Sequence, residues 1–233
     1  MKRLPLPAAL LIAVAGIAAG LLGFRWFTHN SSATLLRPVP ASVAQQPPPE
    51  ASPTPVAAPV PELVPDIRMP DLQGHTRAMS EFSGQPRIIN FWATWCAPCR
   101  REIPLLNTLQ HSHRQQKLQI IGIAVDFDKA VQEYVKKTRI DYPVFIGEDA
   151  GLEAAQEFGI SDLVLPFSVF ADAKNRVVAV KIGELHPPEA EFILKTIRQL
   201  DAGQNSLAEA QADIEQELKR EAQSRALPAP PAT

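Results

Sequence analysis

The sequence predicts an α/β domain with a mixed central sheet flanked by helices, and three observations predict it. Between Asp66 and Ala202, short apolar runs rich in β-branched and aromatic residues alternate with segments of helical spacing. Late in that span two apolar runs flank a turn, which reads as a hairpin and so as an antiparallel edge. A last helical segment follows. Strand, helix, strand, helix, hairpin and helix is the order of a mixed sheet.

Each element has its own warrant. RIINFWA (Arg87 to Ala93) predicts a buried strand, and PCRREIPLLNTLQ carries Ile103, Leu106 and Leu109 at helical spacing. LQIIGIAVDF (Leu118 to Phe127) predicts a second buried strand. DKAVQEYVKKTRI predicts a helix capped by Asp128, with Val131, Tyr134 and Val135 on one face. YPVFIG is a short strand, and AGLEAAQEFGI is a helix stopped by Gly159. FSVFA and VVAVKIG flank the turn DAKNR. PPEAEFILKTIRQL opens with Pro187 and Pro188 and turns Ile193, Ile197 and Leu200 inward. Beyond Gly203, LAEAQADIEQELKREAQSR favours helix, but its apolar positions are sparse: Leu207, Ile214 and Leu218. A solvated helix or a partner contact is expected there, ahead of a frayed tail, so residues 203–233 form a separate C-terminal segment.

Two segments precede the domain. Residues 1–28 hold 21 uncharged residues, Leu4 to Phe24, after Lys2 and Arg3. As a helix these would span roughly 31 Å, enough for a bilayer core of about 30 Å. The flanking charges favour a cytoplasmic N-terminus with the remainder exported, although Arg25 blunts the asymmetry. An uncleaved transmembrane anchor is preferred to a signal peptide cut after Ala13–Ala15 (AVA). Residues 29–65 follow, and Pro38 to Pro65 contain 10 of the chain's 23 prolines, so this stretch is expected to be a semi-rigid spacer. With 23 basic against 25 acidic side chains, nothing suggests nucleic acid as a partner.

The only cysteines, Cys96 and Cys99, fall where the first buried strand gives way to a helix. Positions i and i+3 of a helical turn lie about 5–6 Å apart at Cβ, close to disulfide distance. At the N-terminal end, unsatisfied N–H groups and the positive dipole end favour a thiolate on Cys96. A free cysteine of pKa about 8.5 is roughly 3% thiolate at pH 7; a pKa of about 7 makes it half, for about 2 kcal/mol. Arg100 and Arg101 add positive charge in the first turn. Cys99, one turn inward, is the less accessible sulfur. Glu102 lies three residues beyond Cys99 on the same face, either as a solvated first-turn glutamate or as a partly buried proton carrier.

A redox pair is the preferred reading, and other readings stay open. Zinc would draw on His111 and His113, whose one-residue gap is too short for the usual finger. A structural disulfide of so small a loop would constrain the unfolded chain weakly. Two inert core cysteines are the remaining alternative.

NFWATWCAPCRREIP resembles the active-site segment of thioredoxin-fold proteins, most closely the membrane-tethered TlpA/ResA-like disulfide reductases. The likeness extends to MPDLQG, SEFSGQPRIINFWA and GISDLVLPFSVFADAKNRVVAVKIGEL, covering roughly Pro70 to Leu200. It implies a thioredoxin fold, with Asp128 to Ile146 as the group's helix–strand insertion. It implies a cis-proline at Pro166, a functional Glu102, and substrate contacts from Trp95, Pro98 and Leu165 around the redox-active pair Cys96 and Cys99. No cofactor is implied. The sequence departs from ordinary thioredoxins at Asn90, where they have a buried aspartate, at Leu165, where they have threonine, and at Ala97.

The resulting expectation is a thiol–disulfide oxidoreductase, held at the inner membrane and facing the periplasm. It would reduce protein disulfides with electrons from a membrane thiol donor; apocytochrome c is the best-known substrate class of such enzymes. Two alternatives come from other classes. One is a copper-handling thioredoxin-like metallochaperone, since soft thiolates suit Cu(I); the other is a non-catalytic membrane-tethered adaptor. A peroxidase is disfavoured by the lack of a local threonine–cysteine arrangement of the peroxiredoxin kind.

Overall fold

The structure is a computed structural model and describes residues 59–226. The expected anchor, most of the linker and residues 227–233 lie outside the described residues. Among the described residues no helix is long and apolar enough to cross a membrane.

A small antiparallel pair, β1 (Arg68–Pro70) and β2 (Thr76–Ala78), leads in. There follow β3 (Arg87–Trp92), α1 (Ala97–Ser112), β4 (Gln119–Ala124), α2 (Asp128–Thr138), β5 (Val144–Ile146), α3 (Glu148–Glu157), β6 (Phe167–Ala171), β7 (Val177–Ile182), α4 (Pro187–Asp201) and α5 (Leu207–Ala226). The main sheet has the order β5-β4-β3-β6-β7. Strands β3, β4 and β5 are parallel, whereas β6 runs antiparallel to both of its neighbours, β3 and β7. This is the expected mixed sheet in a thioredoxin-like arrangement, with α2 and β5 adding an edge beside β4.

All six residues of β3 are buried, because both faces of the sheet are covered. Ile88 and Trp92 face a core shared with Ile103, Leu106 and Leu109 of α1, Val131 and Val135 of α2, and Ile193 and Ile197 of α4. Ile89 and Phe91 face the second core, with Phe145, Phe158, Phe167 and Val169. Period-2 alternation therefore puts Asn90 on the α1 side, opposite Gly122 of β4 and Ser168 of β6. Gly159, at φ +81°, ends the α3 turn as expected.

The structure corrects four local expectations. Pairing with β7 begins upstream of Asp66: the Val64 N–H donates to the Asn175 carbonyl and the Val177 N–H to the Glu62 carbonyl, both at 2.9 Å. The paired positions alternate with Pro61 and Pro65, so the missing proline N–H groups are not needed for this edge contact. The β1–β2 pair escaped notice because three-residue strands carry no readable period; Asp71 Oδ1 closes its turn by accepting from the Gln73 and His75 amides. Asp128 is the first residue of α2 and not its cap, which is Phe127. The C-terminal helix is also not simply solvated. It buries Ala210 and Ile214 in the first core, with Leu207 and Leu218 against it. Its Gln211 side chain donates to the Val177 carbonyl at 3.2 Å and Arg225 donates to Glu189 at 2.7 Å.

Candidate active site

Strand β3 delivers the chain to the end of the sheet, and α1 starts four residues after Ala93. Cys96 is its N-cap, at φ −78° and ψ 109°. Ala97 and Pro98 fill the first two helical positions, where a missing N–H goes unused. Cys96 and Cys99 form a disulfide, with Cα atoms 5.3 Å apart. The Cys99 N–H donates to Cys96 Sγ at 3.3 Å, so the outer sulfur already receives a helix-terminal donor. That same donor and the aligned peptide dipoles favour negative charge on Cys96 once the bond is reduced. Cys96 is 5% exposed and Cys99 fully buried, which makes Cys96 the sulfur a partner can reach.

The charges around the pair differ from expectation. Arg101 is taken up by Glu184, its Nε 2.9 Å from Oε2, so its charge is neutralised locally. Arg100 Nη1 reaches back to donate to the Thr94 carbonyl at 2.8 Å, leaving its guanidinium beside the loop that carries Trp95.

Glu102 is buried, not solvated. Its Oε1 accepts from Asn90 Nδ2 at 2.7 Å and its Oε2 from the Leu185 N–H at 2.7 Å. Burial pushes the carboxyl up to about 7; the two hydrogen bonds oppose this, Glu184 adds to it and Lys181 resists it, but desolvation dominates. Asn90 also donates to Ser168 Oγ at 3.0 Å, which joins β3, β6 and α1 through one side chain.

On the other flank, the Leu165–Pro166 bond is cis. Pro166 is buried and its carbonyl accepts from the Gly183 N–H at 2.8 Å. Leu165 and Pro98 are half-buried, while Trp95 is 65% exposed. β6 begins directly after Pro166 and pairs with β3, whose end feeds the cysteine loop, so the topology brings Pro166 and Cys96 to the same end of the sheet.

Sequence reasoning missed Thr94, Asp126, Ser168 and Leu185. Asp126 Oδ2 accepts from the Thr94 N–H at 2.8 Å and from the Thr94 hydroxyl at 2.6 Å, which fixes the loop before Cys96. An acidic residue ending a buried strand is the only local signal for it. Ser168 and Leu185 contact Asn90 and Glu102 across 78 and 83 residues of chain, and no spacing rule reaches that far.

Chemically, an accessible sulfur at a helix N-terminus, a shielded second sulfur and a carboxyl that titrates near neutrality can exchange a disulfide and move a proton. Comparison with known proteins agrees. The AhpC/TSA family matches residues 60–183. The thiol-disulfide oxidoreductase ResA of Bacillus thuringiensis subsp. konkukian is 33% identical over 134 residues, 57% of this chain and 75% of that protein. Among solved structures, a thioredoxin-family thiol:disulfide interchange protein from Chlorobium tepidum is 27% identical at a TM-score of 0.53, covering 59% of this chain and 96% of that one. A secreted thiol-disulfide isomerase from Corynebacterium glutamicum is 28% identical at a TM-score of 0.50, covering 55% and 80%. The chain belongs to the AhpC/TSA family, and its likeness to ResA places it among the thioredoxin-fold thiol–disulfide oxidoreductases.

Proposed function

We propose that this oxidoreductase works as a reductant of protein disulfides outside the cytoplasm, held at the inner membrane by its N-terminal segment. The observation that carries the reading is the Cys96–Cys99 disulfide at the start of α1, with Cys96 as the outer sulfur and buried Glu102 one turn beyond Cys99.

In the reduced enzyme the Cys96 thiolate attacks a substrate disulfide. One S–S bond forms, the substrate bond breaks, and the first substrate sulfur leaves as a thiolate and takes a proton. Cys99 gives its proton to Glu102 and attacks Cys96 Sγ, expelling the second substrate thiolate and restoring the disulfide seen here. The substrate gains two electrons and the enzyme dithiol loses two. Glu102 suits the proton transfer because its affinity lies near neutral pH. Trp95 and Pro98, close to Cys96 in the chain, and Leu165 and Pro166, at the same end of the sheet, serve as the substrate-binding rim. Among the described residues no backbone hydrogen bond occupies Val164 or Leu165, which supports docking of an extended chain there. A membrane thiol donor would re-reduce the pair, and apocytochrome c is the substrate class that the ResA likeness suggests.

Cys99→Ser tests the order of events. The variant should accumulate a mixed disulfide through Cys96, visible as a heavier species that a reductant releases; failure to trap any disulfide substrate would remove the reading. The equilibrium potential tests direction: about −270 mV marks a reductant and about −120 mV an oxidant.

A further inference from the structure

Phe127 sits where its chemistry is unfavourable. It is the N-cap of α2, at φ −67° and ψ 133°, and makes no side-chain capping bond. Serine, threonine, aspartate and asparagine are strongly preferred there because they satisfy a free helix N–H. Phe127 is also 67% exposed. The adjacent Asp126 does not compensate, since its carboxylate is committed to Thr94 and to the Phe127 N–H at 2.8 Å.

The register shows where that ring is displayed. At one end of the sheet Trp92 pairs with Ala124, and Phe91 pairs with Phe167. Three residues beyond Trp92 stands Trp95, 65% exposed; three beyond Ala124 stands Phe127; three before Phe167 stands Val164, 50% exposed. Three adjacent strands thus each carry one exposed apolar side chain to the same end, and the central one precedes Cys96. Neighbouring strands lie about 4.8 Å apart, so the three strand ends that lead to these side chains span on the order of 10 Å, about three residues of extended chain. The Thr94–Asp126 bonds lock the Trp95 and Phe127 loops together.

We propose that Phe127 is a specificity-determining residue: it selects extended polypeptide substrates that carry an aromatic or branched aliphatic side chain within about three residues of the disulfide being reduced. The occupant is a polypeptide because Trp95 of the row directly precedes Cys96 and because, among the described residues, the backbone groups of Val164 and Leu165 make no hydrogen bond. The proposal rests on the disulfide-reductase reading.

The test uses the full chain, reduced, with two synthetic peptides of equal length and charge. Each contains one cystine loop, flanked in one case by phenylalanine and isoleucine and in the other by serine. Phe127→Ser supplies a proper N-cap, so loss of fold does not confound the result, and thermal melting checks this. The unaltered chain should reduce the apolar peptide with the larger second-order rate constant in this single turnover. In Phe127→Ser that preference should fall about tenfold, the scale of a lost apolar subsite, and Phe127→Leu should keep most of it. An active Phe127→Ser with an unchanged preference overturns this proposal alone. An unaltered chain that reduces neither peptide overturns the reductase reading and this proposal with it.

Discussion

The Leu185 N–H donates to Glu102 Oε2 at 2.7 Å, tying the helix that carries both cysteines to the loop before α4. That loop is itself anchored, because the His186 N–H donates to Glu189 Oε2 at 2.9 Å and Arg225 of α5 bonds the other oxygen at 2.7 Å. The Glu102 carboxyl is therefore tied through Leu185 to the start of α4, which the end of α5 braces in turn.

The first prediction concerns pH. In the disulfide form Glu102 has a folded-state pKa of about 7 against 4.5 for an unperturbed glutamate. The folded state binds the extra proton between those values, so this contribution is complete below about 4.5 and is lost as pH rises through about 7. The raised affinity corresponds to about 3 kcal/mol across that window. Glu102→Gln should flatten the fall, and Asn90 can turn its Oδ1, which has no partner among the described residues, toward the new amide. Urea unfolding of the oxidised protein between pH 4 and pH 9 measures the difference; parallel profiles would show that Glu102 does not titrate in this range.

A second prediction separates a docked C-terminal helix from a solvated one. Ile214 is 1% exposed. Ile214→Ala should cost about 2–4 kcal/mol, as for other buried isoleucines. A value within about 0.5 kcal/mol, typical of surface substitutions, would return α5 to the solvent.

The contrast between α5 and β3 shows what the sequence could reveal. RIINFWA reads as a strand because burial on both faces makes a continuous apolar run, and the cysteine pair reads as a redox site because its spacing and helix-start position are local. Most of the mixed sheet follows from such runs. The apolar positions of α5 are sparse because the helix buries only a narrow stripe, and period alone does not distinguish a narrow stripe from none. The environment of Glu102 was equally hidden, since it depends on Asn90, Leu185 and Lys181, which meet only after folding. Phe127 was passed over because Asp128, a better cap by composition, stands beside it.

Gly122 provides a third prediction of the hidden kind. A Cβ there would lie 2.9 Å from Trp92 Nε1 and 3.3 Å from the Tyr142 ring. Both side chains are fully or nearly fully buried, and among the described residues neither the Trp92 N–H nor the Tyr142 hydroxyl has a hydrogen-bond partner. Gly122→Ala should therefore cost about 1–3 kcal/mol through overpacking. Thermal melting of the oxidised protein checks it. A neutral result would show that the indole and phenol can move apart and that Gly122 is not a packing constraint.

The last prediction restores the residue that ordinary thioredoxins have. Asn90→Asp replaces an amide donor 2.7 Å from Glu102 Oε1 with a second buried carboxyl. Two carboxylates at that distance cannot both ionise, so one holds its proton well above the usual range, and the apparent values belong to the pair. Both unfolded-state groups titrate near pH 4, whereas the folded dyad retains protons to higher pH. Stability should thus fall more steeply with rising pH than in the unaltered protein, which has one such group. Ser168, which now accepts from Asn90 Nδ2 at 3.0 Å, can rotate its hydroxyl to donate to the new carboxylate and soften the loss, but it carries no charge to cancel the repulsion. Chemical denaturation of the oxidised variant at pH 5, 7 and 9 reads the slope. A slope equal to that of the unaltered protein would mean that residue 90 and Glu102 titrate independently, and asparagine would then have no electrostatic role at this position.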